Sequence, residues 1–385
     1  MKIEMSQSTQ PYKGTRDFYP EDKRLQKWMF SKWREVCESF GYEEYDGPIL
    51  EPLELYTSKT SEEVVNEQTF SFTDRGGRAV VMRPEMTPTV SRMVAGRRQE
   101  LGYPLRLYSI PNCFRYERTQ RGRTREFWQL NADLFGVEGI EAEIEILLLT
   151  DKLMSVFGAK RNMYEIRLNS RKLLNSQIEK SKPSVEPQEV VRLVDKRGKM
   201  SEDEFSEQLA KVVANPGELL KFLDTNDIAA IDDPTADGLK ELLKMAQDNG
   251  MTNVVFEPSV ARGFDYYTDI VFEVFDLDPE NNRAMFGGGR YDGLVAEFGV
   301  EPVPTIGIAP GDVTMQNFLE SWDLLPKLAT ETNLYVALVG DVFAGAQKIV
   351  SKLREEGVKV AVDMSGRKVG KQIETAVKKG IPYLL

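Results

Sequence analysis

Apolar residues recur at helical spacing after Pro20 in EDKRLQKWMFSKWREVCESFGY, where Leu25, Trp28, Met29, Val36 and Phe40 fall on one side. Gly41 is the expected stop. An extended segment follows through Pro48, Ile49 and Leu50, then two short β-rich runs, QTFSFTD and RAVVMRP. A helix is predicted from Thr87, as N-cap, to about Glu100. LRLYSI, NCFRYER and REFWQLNADLF read as strands, the last two flanking a polar turn at Gly122. A helix over about 140–157 turns Ile144, Leu147 and Leu148 inward. From about 169 to 250 the chain is highly charged, helical in pattern and without strand runs, so a helical insertion is predicted. Strand patterns resume at NVVFEP, DIVFEVF and around GGGRYDG, and TIGIAPG precedes the last helix of this unit, which closes near residue 326.

After the linker LATETN the pattern changes to NLYVALVG, a helix through KIVSKLREEG, VKVAVDM, a helix through GKQIETAVKKG, and IPYLL. This βαβαβ order predicts a parallel sheet in a separate α/β domain over 333–385. The third strand would keep much of its face uncovered, so the domain is expected to be incomplete.

Composition narrows the chemistry. The 385 residues are 41% hydrophobic and 29% charged, values of a globular protein of two or three domains. No apolar stretch approaches the about 20 residues of a membrane span, and MKIEMSQSTQ lacks a leader's apolar core. The only cysteines, Cys37 and Cys113, make neither a disulfide framework nor a zinc site, so a cytoplasmic setting is expected. The net charge of -11 argues against nonspecific DNA binding over the whole surface, while local basic patches leave a nucleic-acid partner open. With no histidine anywhere, Ser-His-Asp catalysis, Cys-His catalysis and His-ligated metals are excluded.

Four stretches could carry chemistry. FRYERTQRGRTREF, Phe114 to Phe127, joins two β-like arms at a loop holding Arg118, Arg121, Arg123 and Arg125. Guanidinium forks match phosphate oxygens, Glu117 adds an acceptor, and Phe127 and Trp128 add aromatic faces. A nucleotide triphosphate or a nucleic-acid end fits this set, and so does a solvated hairpin. In RPEMTPTV, Glu85 and Thr87 are acceptors for an ammonium group or simply a helix start. In FWQLNADLF, Gln129, Asn131 and Asp133 alternate onto one face, a site or an exposed sheet surface. ARGFDYYTDIVFEVF sets Arg262, Tyr266 and Tyr267 at the mouth of an apolar strand. The glycines of GGGRYDG read as a tight turn or a close backbone approach, and a P-loop is absent.

Taken together, RPEMT, FRYERTQRGRTREFWQLNADLFG, ARGFDYYTDIVFEV and GGGRYDGL resemble the histidyl-tRNA synthetases, class II aminoacyl-tRNA synthetases. The resemblance runs from KGTRDFYP to SGRK, nearly the whole chain. It implies an α+β catalytic domain over 1–326, built on a mainly antiparallel sheet with the helical insertion, and a C-terminal anticodon-binding domain. It implies L-histidine, ATP with Mg²⁺, and tRNA(His) as ligands, and a homodimer formed through the motif that includes Pro48. No protein metal site is implied. By resemblance, Arg115 and Glu117 contact the α-phosphate and adenine, Arg123 the outer phosphates, and Phe127 stacks on adenine. Glu85, Thr87 and Gln129 hold the amino acid's ammonium and neighbouring atoms, Asp133 and Tyr267 face its imidazole with Tyr266 beside them, and Arg262 is the catalytic arginine. Many members carry glutamate in place of Asp133. Arg367, Lys368 and Lys371 form a basic stretch for tRNA or a solvated helix face.

One departure stands out. The third class motif ends in Gly-Leu-Glu-Arg, and here the matching residues are Gly311, Asp312, Val313 and Thr314. Either other cations cover the phosphates or nucleotide binding is weak. The missing arginine favours a rival reading, a noncatalytic relative that binds histidine and regulates a biosynthetic enzyme. The arginine-rich second motif and the C-terminal domain oppose it. A class II synthetase for another amino acid is opposed by RGFDYY and by Asp133.

Overall fold

The computed structural model describes residues 8–57, 68–118, 120–281 and 283–385. The N-terminal stretch read for a leader therefore lies mostly outside the described residues. Contacts divide the chain into two compact units, one running up to Asp17 and from Met29 to Leu324, the other comprising Phe18–Trp28 and Leu325–Leu385.

The first unit is organised by an eight-stranded sheet. Its strands are β1 (Glu43–Glu44), β5 (Leu105–Ser109), β8 (Asn131–Phe135), β9 (Tyr164–Ser170), β10 (Val254–Phe256), β11 (Ile270–Asp276), β12 (Arg283–Arg290) and β13 (Thr305–Ile308). Their order is β1-β5-β8-β13-β12-β11-β9-β10. The six inner strands pair antiparallel, and only β1 on β5 and β10 on β9 are parallel. Two smaller sheets accompany it. One is β2-β4-β3, from β2 (Leu50–Pro52), β3 (Phe70–Thr73) and β4 (Ala79–Met82); the other is the hairpin of β6 (Asn112–Phe114) and β7 (Glu126–Trp128).

Helix α1 (Pro20–Ser39) buries Met29, Phe30, Trp33, Val36 and Cys37, while Leu25, Trp28 and Phe40 are only half-buried. Gly41 follows at φ +79°, a backbone state that favours glycine. After the short α2 (Glu54–Thr57), helix α3 (Thr87–Gly96) opens with Thr87 as its first helical residue. Met86 takes the N-cap position without a side-chain bond, which corrects the expectation for Thr87. Pro88 occupies the first turn, where a missing N–H costs nothing. Helix α4 (Glu141–Ser155) buries Ile144 and Leu147, with Leu148 half-buried.

The insertion is helical: α5 (Arg171–Lys180), α6 (Pro187–Asp195), α7 (Glu202–Val212), α8 (Pro216–Leu223) and α9 (Asp237–Asp248). Strand β9, immediately before it, was not anticipated. YEIRLNS alternates charged and apolar residues, and its Tyr164, Ile166 and Leu168 are fully buried. Helix α10 (Asp312–Ser321) closes the unit.

The second unit carries a three-stranded parallel sheet ordered β15-β14-β16, from β14 (Leu334–Val336), β15 (Val360–Val362) and β16 (Tyr383–Leu384). Its helices are α11 (Phe343–Glu355) and α12 (Val369–Lys378). Residues 18–28 join this unit, where Arg24 lies 3.5 Å from Glu331. Of the basic stretch, Arg367 pairs with Asp363 at 3.4 Å and Lys371 with Glu374 at 2.7 Å.

Candidate active site

REFWQLNADLF is predicted as one strand and forms two. The chain leaves the β6–β7 hairpin at Gln129, whose N–H donates to Pro111, and enters the large sheet at Leu130, whose N–H donates to the Pro310 carbonyl. This crossing sets Phe127 and Asp133 on one cavity of about 300 Å³. The residues to which the resemblance gives histidine or ATP all line that cavity: Glu85, Thr87, Arg115, Glu117, Arg123, Phe127, Gln129, Asp133, Arg262, Tyr266 and Tyr267. Asn131, between Gln129 and Asp133, does not line it; it is buried and donates to the Gln129 carbonyl.

At one end the hairpin supplies cations and an aromatic face. Arg115 lies over Phe127 and Phe264, 5.3 and 5.9 Å from the ring centres, and its Nε donates to the Pro84 carbonyl at 2.9 Å. Arg123 is half exposed and reaches Glu117 at 3.3 Å. The turn pivots on Gly122 at φ +79°. Of the other loop arginines, Arg125 serves structure, stacked 3.9 Å from the Tyr116 ring and donating to Tyr12, and Arg118 and Arg121 are exposed away from the cavity. Thr314 also lines this end. Arg283 stands beside it, donating to the Arg121 carbonyl at 2.7 Å.

At the other end the groups are buried and polar. Asp133 is 3% exposed and accepts from Tyr291 through one oxygen, while its Oδ2 has no hydrogen-bond partner. Burial pushes this carboxyl up to about 7, against the pull of the Tyr291 hydroxyl. Glu85 accepts from Tyr266 at 3.1 Å. The Tyr266 and Tyr267 phenols are raised above their ordinary range by burial, so they remain neutral donors at neutral pH. Rings of Phe264 and Tyr266 stack at 5.2 Å, and Tyr291 meets Tyr266 edge-on at 5.6 Å.

Arg262 sits between these ends. Its φ is +57°, a left-handed state costing a side-chain-bearing residue about 1–2 kcal/mol. Its Nη1 donates to Glu273 of β11 at 2.9 Å, and its buried Nε has no partner. Burial works against its charge, but the Glu273 carboxylate beside it holds the guanidinium firmly protonated. Of the glycines of GGGRYDG, Gly287, Gly288 and Gly289 lie within β12, where they let these side chains approach, and Gly293 lies in the turn that follows. A Cβ on Gly287 would meet the Phe272 carbonyl at 2.3 Å and Arg262 at 2.9 Å, and one on Gly289 would meet the Tyr267 ring at 2.8 Å. One on Gly307 would fall 2.0 Å from Asp133.

Unpartnered buried polar atoms are rare in folded proteins. Here a buried acceptor, Asp133 Oδ2, and a buried donor, Arg262 Nε, belong to side chains of one cavity. Such a site suits a ligand with an N–H at one end and an anionic oxygen at the other. Residues that the sequence reading passed over are Tyr291, Glu273 and Phe264. Glu273 had a visible signal, a lone acid inside the apolar run of β11, and Tyr291 was in plain view in GGGRYDG.

The family model for histidyl-tRNA synthetase matches residues 14–310, and that for the anticodon binding domain matches 333–385. The histidine–tRNA ligase of Leptospira biflexa serovar Patoc is 42% identical over 99% of this chain and 90% of its own length. That of Haloarcula marismortui is 38% identical over 94% and 86%. Among solved structures, the histidyl-tRNA synthetase from Nostoc sp. PCC 7120 matches with a TM-score of 0.79 at 21% identity, covering all of this chain and 91% of that one. An ATP phosphoribosyltransferase regulatory subunit/histidyl-tRNA synthetase from Bacillus halodurans C matches equally, at 0.79 and 21%, over 99% of both. The two structures speak for the fold, the sequence matches for kinship: this chain belongs to the histidyl-tRNA synthetase family.

Proposed function

We infer that this chain joins L-histidine to tRNA(His) with ATP, through a histidyl-adenylate. The observation that carries the reading is the single cavity with guanidiniums at one end and a buried acid, a glutamate and two neutral phenols at the other. The catalytic domain is 1–326 with its helical insertion near 169–250, and 333–385 serves tRNA.

In the first step the histidine carboxylate attacks the α-phosphate and pyrophosphate leaves. Charge grows on the phosphoryl oxygens, and fixed guanidiniums act where it grows. Arg115 and Arg262 serve the α-phosphate, Arg123 the outer phosphates, and Phe127, freed from Arg115, the adenine ring with Glu117. Mg²⁺ would add neutralising charge on the phosphates. Glu85, Thr87 and Gln129 hold the ammonium end, and Asp133 Oδ2 and Tyr267 meet the imidazole. A site built on buried hydrogen bonds rejects side chains that cannot make them. Where Thr314 replaces the third-motif arginine, Arg123 and Arg283 supply the cations.

No helix among the described residues is long and apolar enough to cross a membrane. The protein works in the cytoplasm, where its two buried free thiols stay reduced. It pairs as a homodimer. Ile49 and Leu50, which follow Pro48, and Phe72, in the small sheet with Leu50, are about half accessible, apolar surface of the kind such pairing covers.

Histidine-dependent exchange of labelled pyrophosphate into ATP tests the reading. Wild type should exchange, and Arg262→Ala should lose about a hundredfold, roughly 3 kcal/mol of transition-state stabilisation. Absence of exchange in the wild type would side with the noncatalytic regulator.

A further inference from the structure

The segment 258–269 that carries Arg262, Tyr266 and Tyr267 has no regular structure of its own, yet it is held at successive points from one direction. Asn169, the penultimate residue of β9 and fully buried, donates to the carbonyls of Pro258 at 2.8 Å and Val260 at 3.0 Å. Arg171, the first residue of α5 and 3% exposed, donates to the carbonyls of Ala261 at 2.9 Å and Arg262 at 3.3 Å. Its second terminal nitrogen donates to Gln188 of α6 at 2.8 Å. Gln188 in turn donates to one oxygen of Asp265, and Arg192, a turn further along α6, donates to the other at 2.6 Å. At the far end, the Arg171 N–H donates to the Asp269 carbonyl at 2.9 Å.

Arg262 lies between two of these anchors with its carbonyl as a third. Its left-handed backbone is unfavourable and persists only where surroundings over-determine it. We propose that Arg171, Gln188 and Arg192 are positioning residues, through which the start of the helical insertion holds Arg262 in its active setting. This deepens the catalytic reading above and rests on it for the consequence in rate. None of the three lines the cavity, so their effect reaches the phosphate only through the segment they hold.

The test uses the full chain. Arg171→Ala removes a buried cation and risks misfolding, so the working variants are Gln188→Ala, Arg192→Ala and their combination. In pyrophosphate exchange the combined variant should lose about tenfold in kcat, with KM for histidine and ATP changed less than about twofold, as expected when a transition-state contact is misplaced. Arg192→Lys, which keeps a donor toward Asp265, should recover most of the loss. In an Arg262→Ala background the same substitutions should cost almost nothing further, because their target is gone. Independent, additive losses would overturn the proposal. Deuterium uptake by the amides of 261–267 supplies a readout free of activity. It should quicken in the combined variant while the melting temperature stays put, and unchanged uptake would also overturn the proposal. A wild type without exchange would remove the catalytic reading alone, since uptake still decides whether the segment is held.

Discussion

At the scale of single residues, Asp133 is the most exposed to test. Its carboxyl is raised from 3.8 to about 7, so the folded state holds a proton that the unfolded chain has released. Stability from this group therefore falls as pH climbs from about 4 to 7 and stays low above it. Asp133→Asn should stabilise the chain at pH 8, by at most about 4 kcal/mol, and leave it little changed at pH 4; denaturation midpoints at the two values check this. The same substitution should weaken histidine binding. A nearby carboxylate favours the charged form of an imidazole, so bound L-histidine should titrate above its free value of about 6.5. Proton NMR can follow this directly, because the chain has no histidine and every imidazole signal belongs to the ligand. Titration at or below the free value would mean that Asp133 is not its acceptor.

At the scale of elements, β12 shows what sequence pattern can and cannot convey. Gly287 and Gly293 belong to one motif and look alike in the sequence. A Cβ on Gly287 would strike the Phe272 carbonyl at 2.3 Å, whereas one on Gly293 meets nothing within 4 Å. Gly287→Ala should thus cost about 1–3 kcal/mol and displace Arg262, with Gly293→Ala near neutral on both stability and exchange. The helices with a clear apolar face, α1, α4 and α11, were legible, as were the turn at Gly122 and the parallel order of the last domain. The residues that share the cavity were legible as types, although the arginine, acid and aromatic side chains of the hairpin fit a phosphate ligand and a solvated hairpin alike. Strand β9 was not, because Glu165 and Arg167 break the apolar run and pair with each other at 2.7 Å on its polar face. Nor was the break between β7 and β8. It is imposed by the carbonyls of Pro111 and Pro310, which are distant in sequence from one another and give no local signal. Thr87 was misplaced by one position because Met86, an unlikely cap by composition, takes the turn.

At the scale of the molecule, the exposed Ile49, Leu50 and Phe72 predict association. Light scattering should give twice the 43.7 kDa of one chain, and charged substitutions at Leu50 and Phe72 should shift it toward one. A particle of single-chain mass across the micromolar range would rule that pairing out. With 61 acidic against 50 basic residues, tRNA must be met by a local surface rather than by the overall field. The exposed Arg367 and Lys371 form ion pairs with Asp363 and Glu374, worth about 0–1 kcal/mol, which phosphate contacts can replace. Cys37 and Cys113 are both fully buried, and burial pushes the Cys113 thiol up to about 12 and that of Cys37 higher still. Neither offers thiolate to a maleimide at neutral pH. A single cysteine placed on the surface would then accept a fluorophore or crosslinker with no background from the native chain, so tRNA and partner subunit can be mapped without first engineering a cysteine-free protein.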